Sequence, residues 1–268
     1  MISGKADNLM SSGLWDEKHL LEEMDRIVNV ATDRAVTLRG LGAAAIRKHS
    51  HGFAQQCKVL ARPLTDLDFI TYSKQERQTM EVLKSCGYHQ DRARAYMRNL
   101  TGRSVLEDPN RKLIVDLFFD KLSYNHILDL HGRLEQDSVT IPLADILLEK
   151  TQIVQINEKD VKDMVLLLRE HPVGQLDNET INLNRICDVL SSDWGFYYTV
   201  TTNLDKISQY TKSLDNLQEP DKNDILTKIA QIKKSIESSP KNLGWRMRAR
   251  VGSKKKWYND VEELYSGH

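Results

Sequence analysis

The apolar positions change period several times along the first half of the chain. Between residues 15 and 35, Leu20, Leu21, Met24, Ile27, Val28 and Ala31 recur at helical spacing with charges on the other face, which predicts an amphipathic helix. The apolar run Ala35 to Leu38 ends in Arg39-Gly40-Leu41-Gly42 and leads into Ala43-Ala44-Ala45-Ile46. That order reads as strand, glycine turn and a helix of small residues able to pack close to a sheet. In Thr65-Asp66-Leu67-Asp68-Phe69-Ile70 the period falls to two, so both carboxylates project from one face of a strand and Leu67 and Phe69 from the other. A helix over Lys74 to Cys86 stops at Gly87. Segments 94–100, 103–107 and 112–119 have strand-like lengths, punctuated by Thr101-Gly102 and Asp108-Pro109-Asn110.

After Pro142 the pattern becomes helical. Leu143 to Ile156, Glu158 to Arg169, Glu179 to Leu190 and Trp194 to Leu214 are read as helices, broken by Asn157, by His171-Pro172-Val173-Gly174 and by Ser191-Ser192-Asp193. From Pro220 to Ile236, Ile225, Ile229, Ile232 and Ile236 mark one more amphipathic helix. The expectation is an α+β protein, with a small mixed sheet and flanking helices over residues 1–140 and a helical domain over 141–268.

Composition narrows the classes. The 268 residues can bury a sizeable core, and 38 basic against 38 acidic residues leave no global field to draw nucleic acid or membrane. Cys57, Cys86 and Cys187 form no C-x-x-C pair, which argues against structural zinc or a disulfide framework and favours a reducing cytoplasm. The polar N-terminus and the lack of an 18-residue apolar run predict neither signal peptide nor membrane span.

Paired acids on an apolar strand cost free energy unless metal or water satisfies them. Asp116 repeats the theme in Leu113-Ile114-Val115-Asp116-Leu117-Phe118-Phe119. Three such carboxylates on neighbouring strands suit magnesium bound against phosphates. Asp120, four positions on, reads as a strand-end residue. The glycine turn before a helix, the D-x-D strand and the single-acid strand together resemble the nucleotidyltransferase superfamily that includes polymerase beta.

The resemblance implies that Asp66, Asp68 and Asp116 hold Mg2+ or Mn2+ for transfer of a nucleotide from an NTP. Gly42 becomes the turn glycine facing phosphate, with Gly40 and Ala43 beside it; Ala43 stands where the family usually has a second glycine or serine. Arg39 and Arg62 are phosphate contacts in this reading. The 23 residues between Gly42 and Asp66 exceed the usual spacing, so an insertion around Lys48 to Arg62 is implied. Leu143-Ala144-Asp145-Ile146-Leu147-Leu148-Glu149-Lys150, then Lys159-Asp160-Val161-Lys162-Asp163-Met164, is similar to the paired motifs of the AbiEii-type branch, which assigns functional roles to Lys150 and Asp160. RNA such as tRNA, a protein or a small molecule is the implied acceptor, and a cognate antitoxin an implied partner.

Each of these readings has a plainer counterpart. Gly40 and Gly42 fit an ordinary strand-to-helix turn, Lys150 can snorkel to solvent, and Lys159-Asp160 suits a helix start. His49 and His51, two apart in an expected loop, are weak chelators, and Trp194, Phe196, Tyr197 and Tyr198 suit a helical core. Residues 241–256 carry seven Lys or Arg and no acid, with Trp245 inside the stretch and Trp257 and Tyr258 just beyond it. They fit either an RNA contact or a solvated basic segment anchored by its tryptophans. At the level of function, a non-catalytic nucleotide- or RNA-binding module and a helical interaction protein are the alternatives.

Overall fold

A computed structural model describes residues 16–50, 60, 63–91, 95 and 102–260. The protein is α+β, with a small mixed sheet and a helical C-terminal half. It forms two compact units. The first draws its described residues from Met1–Lys48, Arg62–Lys121 and His131–Ile141, and the second from His49–Ala61, Leu122–Leu130 and Pro142–His268.

In the first unit, helix α1 (Glu17–Asp33) starts at Asp16, whose carboxylate accepts the His19 amide at 2.8 Å and satisfies one of the unpaired donors of the first turn. Leu20, Met24, Ile27, Val28 and Ala31 are its buried stripe. They pack with Leu67, Phe69, Val82, Leu83, Val115 and Leu117 in one apolar cluster. Strand β1 (Leu38–Leu41) runs into α2 (Gly42–His49), followed by β2 (Asp66–Thr71), α3 (Glu76–Ser85), β3 (Ser104–Asp108) and β4 (Leu113–Phe119). Strand β2 lies between β1, antiparallel to it, and β4, parallel to it, while β3 pairs antiparallel with β4. The expected strand over 94–100 falls almost wholly outside the described residues.

Buried polar groups pin the β3–β4 hairpin to α1. Glu23 is buried, accepts the Tyr88 hydroxyl at 2.8 Å and takes Arg26 at 2.7 and 2.6 Å. Arg111, at the hairpin turn, bridges Glu23 and Asp108. Burial opposes a charge on Glu23, but the Arg26, Tyr88 and Arg111 hydrogen bonds outweigh it and hold the carboxyl below its usual range.

Short strands β5 (Lys121–Ser123) and β6 (Ile127–Asp129) follow β4. The second unit then continues with α4 (Leu143–Thr151), α5 (Glu158–Glu170), the two-residue strands β7 (Val173–Gly174) and β8 (Ile181–Asn182), α6 (Leu183–Ser192), α7 (Trp194–Ser213), α8 (Glu219–Ser238) and α9 (Leu243–Val251). Two helix boundaries depart most from the periodicity, and one further helix was not expected. Helix α4 stops at Thr151 rather than Ile156, because the buried Asn203 amide donates to the Thr151 and Ile153 carbonyls and draws the chain out of the helix. Helix α6 begins at Leu183 rather than Glu179: Ile181 and Asn182 pair with β7, and the Asn182 side chain caps the helix by accepting from Asn184 and Arg185. In the basic tail, α9 forms behind an Asn242 cap that accepts from the Trp245 amide at 2.7 Å. Among the described residues no helix is long and apolar enough to cross a membrane.

Candidate functional site

Strand alternation sorts the residues of β2 and β4. Leu67 and Phe69, with Leu113, Val115, Leu117 and Phe119, join the core cluster, so Asp66, Asp68 and Asp116 occupy the opposite face. The register sets Asp68 directly beside Asp116, and on its other side Leu41, the last residue of β1. Neighbouring strands lie about 4.8 Å apart. Three acids separated by up to 50 positions thus share one face of two adjacent strands.

Gly42 follows Leu41 with φ +71°. A Cβ at this position would fall 2.4 Å from Asp68 Oδ2 and 3.3 Å from its Cγ. Both the backbone angle and the space therefore require glycine, and the first turn of α2 lies against the Asp68 carboxylate.

Arg103, just before β3, donates from Nη1 to Asp116 Oδ2 at 2.7 Å. The Asp116 carboxyl is pushed above its usual range: burial is the largest cause, Arg103 opposes it, and the nearby Asp66 charge adds to it. Nothing in the sequence pattern singled out Arg103, since its contact depends on the β3–β4 pairing rather than on a local motif. As the side chains stand, the ligand oxygens of the three acids are not all within 4.8 Å of one another. Repulsion among carboxylates and the pull of Arg103 on Asp116 account for that spread. An all-oxygen donor set on a rigid sheet beside a glycine turn fits a hard divalent cation such as Mg2+ or Mn2+.

Other expected contacts are placed elsewhere. Gly40 lies within β1, where a Cβ would be 2.4 Å from Met24 Sδ; its N–H donates to Val139 O and its carbonyl accepts from Ile141. Its backbone groups are committed to the fold. Arg39 is likewise engaged, donating from Nε to Asp137 O at 2.6 Å and from Nη1 to Leu38 O at 2.8 Å; burial lowers its pKa. Ala43 packs against the core cluster from the first turn of α2. Arg62, Cys57 and His51 lie outside the described residues.

Asp120, the residue after β4, is in a left-handed conformation, φ +60°. It accepts the Ser73 amide at 2.9 Å and faces His131 Nε2 at 3.4 Å. With Tyr72, Lys74, Gly132 and Glu135 it lines a cavity of about 450 Å³, to which none of the three clustered acids contributes.

In the second unit, Lys150 Nζ donates to Asp160 Oδ1 at 3.0 Å and lies 3.9 Å from Asp163 Oδ2. Burial disfavours the ammonium, but Asp160, Glu149 and Asp163 outweigh it and hold the lysine above its ordinary pKa. Lys150 therefore does not snorkel away as a lone cation. Asp163 was not singled out by sequence; its place three residues after Asp160 on α5 was the available signal.

The tail's aromatic residues are used within the second unit. Trp245 Nε1 donates to Leu190 O, Trp257 Nε1 donates to Thr199 Oγ1, and Arg248 sits 4.7 Å over the Trp194 ring. The indoles anchor the segment while Arg246, Arg250, Lys254, Lys255 and Lys256 stay exposed. His126 is buried against Phe196, ring centroids 4.9 Å apart, with Nε2 2.8 Å from Thr199 Oγ1.

Comparison with protein-family models, curated proteins and solved structures gives no match.

Proposed function

We propose that the chain is a divalent-metal-dependent nucleotidyltransferase that moves a nucleotide from an NTP to an acceptor hydroxyl. The observation that carries this reading is the parallel, in-register pairing of Asp68 with Asp116, with Gly42 packed against the Asp68 carboxylate. In it Asp66, Asp68 and Asp116 hold Mg2+ or Mn2+. The cation, when bound, supplies charge stabilisation to the attacking and leaving oxygens of an in-line phosphoryl displacement. The sheet fixes the carboxylate positions, so little reorganisation accompanies reaction. Arg103 orients Asp116 from the side of β3. The turn at Gly42 is the place where backbone approaches the phosphates.

The acceptor belongs to the same proposal: an RNA such as tRNA, a protein or a small molecule, with a cognate antitoxin as partner if the chain resembles its toxin branch in activity. Lys150 and Asp160 enter through that resemblance, and their ion pair is compatible with either a structural or a functional use.

The test is incubation of the full chain with each α-labelled NTP, Mg2+ or Mn2+, and total RNA or cell extract. Wild type is expected to transfer label, Asp66→Ala and Asp68→Ala to lose transfer, and Asp120→Ala to retain it. Transfer that survives both strand variants sinks the reading. The Arg103 ion pair favours a second reading, a nucleotide- or RNA-binding module in which a guanidinium satisfies the acid. Binding of NTP without transfer in any extract selects that module.

A further inference from the structure

Helix α9 buries none of its residues, although from Trp245 onward apolar side chains alternate with arginines along it. Leu243, Met247 and Val251 recur at i, i+4 and i+8 and so share one face; they are 67%, 59% and 39% exposed. Half of the large exposed apolar residues among those described fall on this one short helix, unlike the single scattered ones of an ordinary surface. Arg246 and Arg250, three and seven positions after Leu243, border the stripe along one edge. Lys254 and Lys255 follow in the turn beyond the helix. All four cations are exposed, and none has an ion-pair partner among the described residues.

The opposite side of α9 is committed to the second unit. Trp245 Nε1 donates to Leu190 O, and its ring meets Tyr197 edge-on with centroids 5.1 Å apart. Arg248 donates from Nη1 to Gly252 O at 2.6 Å and from Nη2 to Lys255 O at 2.8 Å while lying over the Trp194 ring. These contacts hold the helix against α6 and α7 with the apolar stripe turned outward. Arg250, in the last turn, also complements the carbonyl end of the helix, a role that requires neither Arg246 nor the two lysines.

We infer that this face of α9 binds the surface of an anionic lipid bilayer. Leu243, Met247 and Val251 enter the headgroup boundary, while Arg246, Arg250, Lys254 and Lys255 meet the lipid phosphates and carboxylates. Charge and area select that occupant. A second copy of the chain would bring its own four cations to the same face and be repelled. RNA matches the cations but offers the three apolar side chains nothing to bury against, and Trp245 and Trp257 donate their indole N–H groups within the fold. A stable protein interface takes about 20–30 residues from each side, far more than two turns of helix present. Partition onto a bilayer needs no such area, because each basic residue near an anionic surface strengthens it about fivefold and each buried methylene about fourfold. The contact is peripheral, needs no membrane-crossing helix, and is independent of nucleotidyl transfer.

The experiment is co-sedimentation of the full chain with vesicles of phosphatidylcholine, alone or mixed with phosphatidylserine, at low and at physiological salt. Wild type is expected to sediment with the anionic vesicles and to stay in solution beside the neutral ones. Leu243→Gln/Met247→Gln and Arg246→Gln/Arg250→Gln change exposed positions and should keep the wild-type melting temperature. Each should weaken vesicle binding about tenfold or more, the arginine variant falling further behind wild type at low salt than at high. Leu176→Gln, which removes a 74%-exposed apolar side chain outside α9, should bind as wild type does. No binding to anionic vesicles, equal binding to neutral ones, binding kept by either α9 variant, or binding lost equally in Leu176→Gln overturns the assignment. So does single-stranded RNA bound in place of vesicles, with affinity lost in the arginine variant and unchanged in the apolar one.

Discussion

Gly42→Ala tests whether the glycine turn serves the carboxylates or only the backbone, and Gly102 supplies the control. Both glycines have φ +71°. Placing alanine at that angle costs about 1–2 kcal/mol, partly offset by about 0.4–1 kcal/mol from a less flexible unfolded chain. Around Gly102 a new Cβ meets nothing within 4 Å among the described residues, so the net loss there is about 1 kcal/mol or less. At Gly42 the same methyl lies 2.4 Å from Asp68 Oδ2, 3.3 Å from Cγ and 3.5 Å from Cβ. The carboxylate must swing aside, because rotation of a short side chain is easier than shifting paired strands. Overpacking adds about 1–3 kcal/mol, toward the low end since a side-chain tip yields first. A displacement near 1 Å at a reacting centre can cost about 100-fold in rate. Urea denaturation of the three proteins should therefore separate them by about 1 kcal/mol, while label transfer falls about 100-fold for Gly42→Ala and stays near wild type for Gly102→Ala. Equal transfer by the two variants refutes the argument, and so does a Gly42→Ala protein that is destabilised yet fully active.

Two further predictions concern the second unit. Burial lowers His126 from 6.5 to about 4. The unfolded chain therefore takes up the proton first, and stability present above pH 6.5 is lost as pH falls toward 4, by about 2 kcal/mol between pH 7 and 5. Urea midpoints should show that drop and show less of it in His126→Gln; identical slopes in the two proteins would exclude His126 as its source. Lys150→Ala removes the cation that Asp160 and the 1%-exposed Asp163 share, and breaking such a buried pair costs about 3 kcal/mol or more. Adding Asp163→Asn should recover part of that loss in a double-mutant cycle. If Lys150→Ala is as stable as wild type and yet transfers no label, the lysine acts on the reaction rather than on the fold.

The helices were legible where burial follows one periodic stripe, as in α1 and in the isoleucine row of α8. The alternation in β2 and β4 foretold which face carries the acids. What local pattern does not encode is pairing. Arg103 reaches Asp116 only because β3 lies against β4, Gly40 packs on Met24 only because α1 lies across β1, and α4 ends early because Asn203 arrives from a helix 52 positions away. Spacing also hid the surroundings of His49, whose neighbours in space come from 122 and 130 residues downstream.

The parallel union of β2 and β4 has an evolutionary edge. No hairpin can join parallel strands, so Asp68 and Asp116 become neighbours only after the intervening crossover has folded. A single inserted or deleted residue within either strand would turn its acid toward the apolar layer. Such a lesion would leave composition and helix content almost unchanged while dismantling the carboxylate pair. Insertions in this chain should therefore be tolerated between these strands and purged within them.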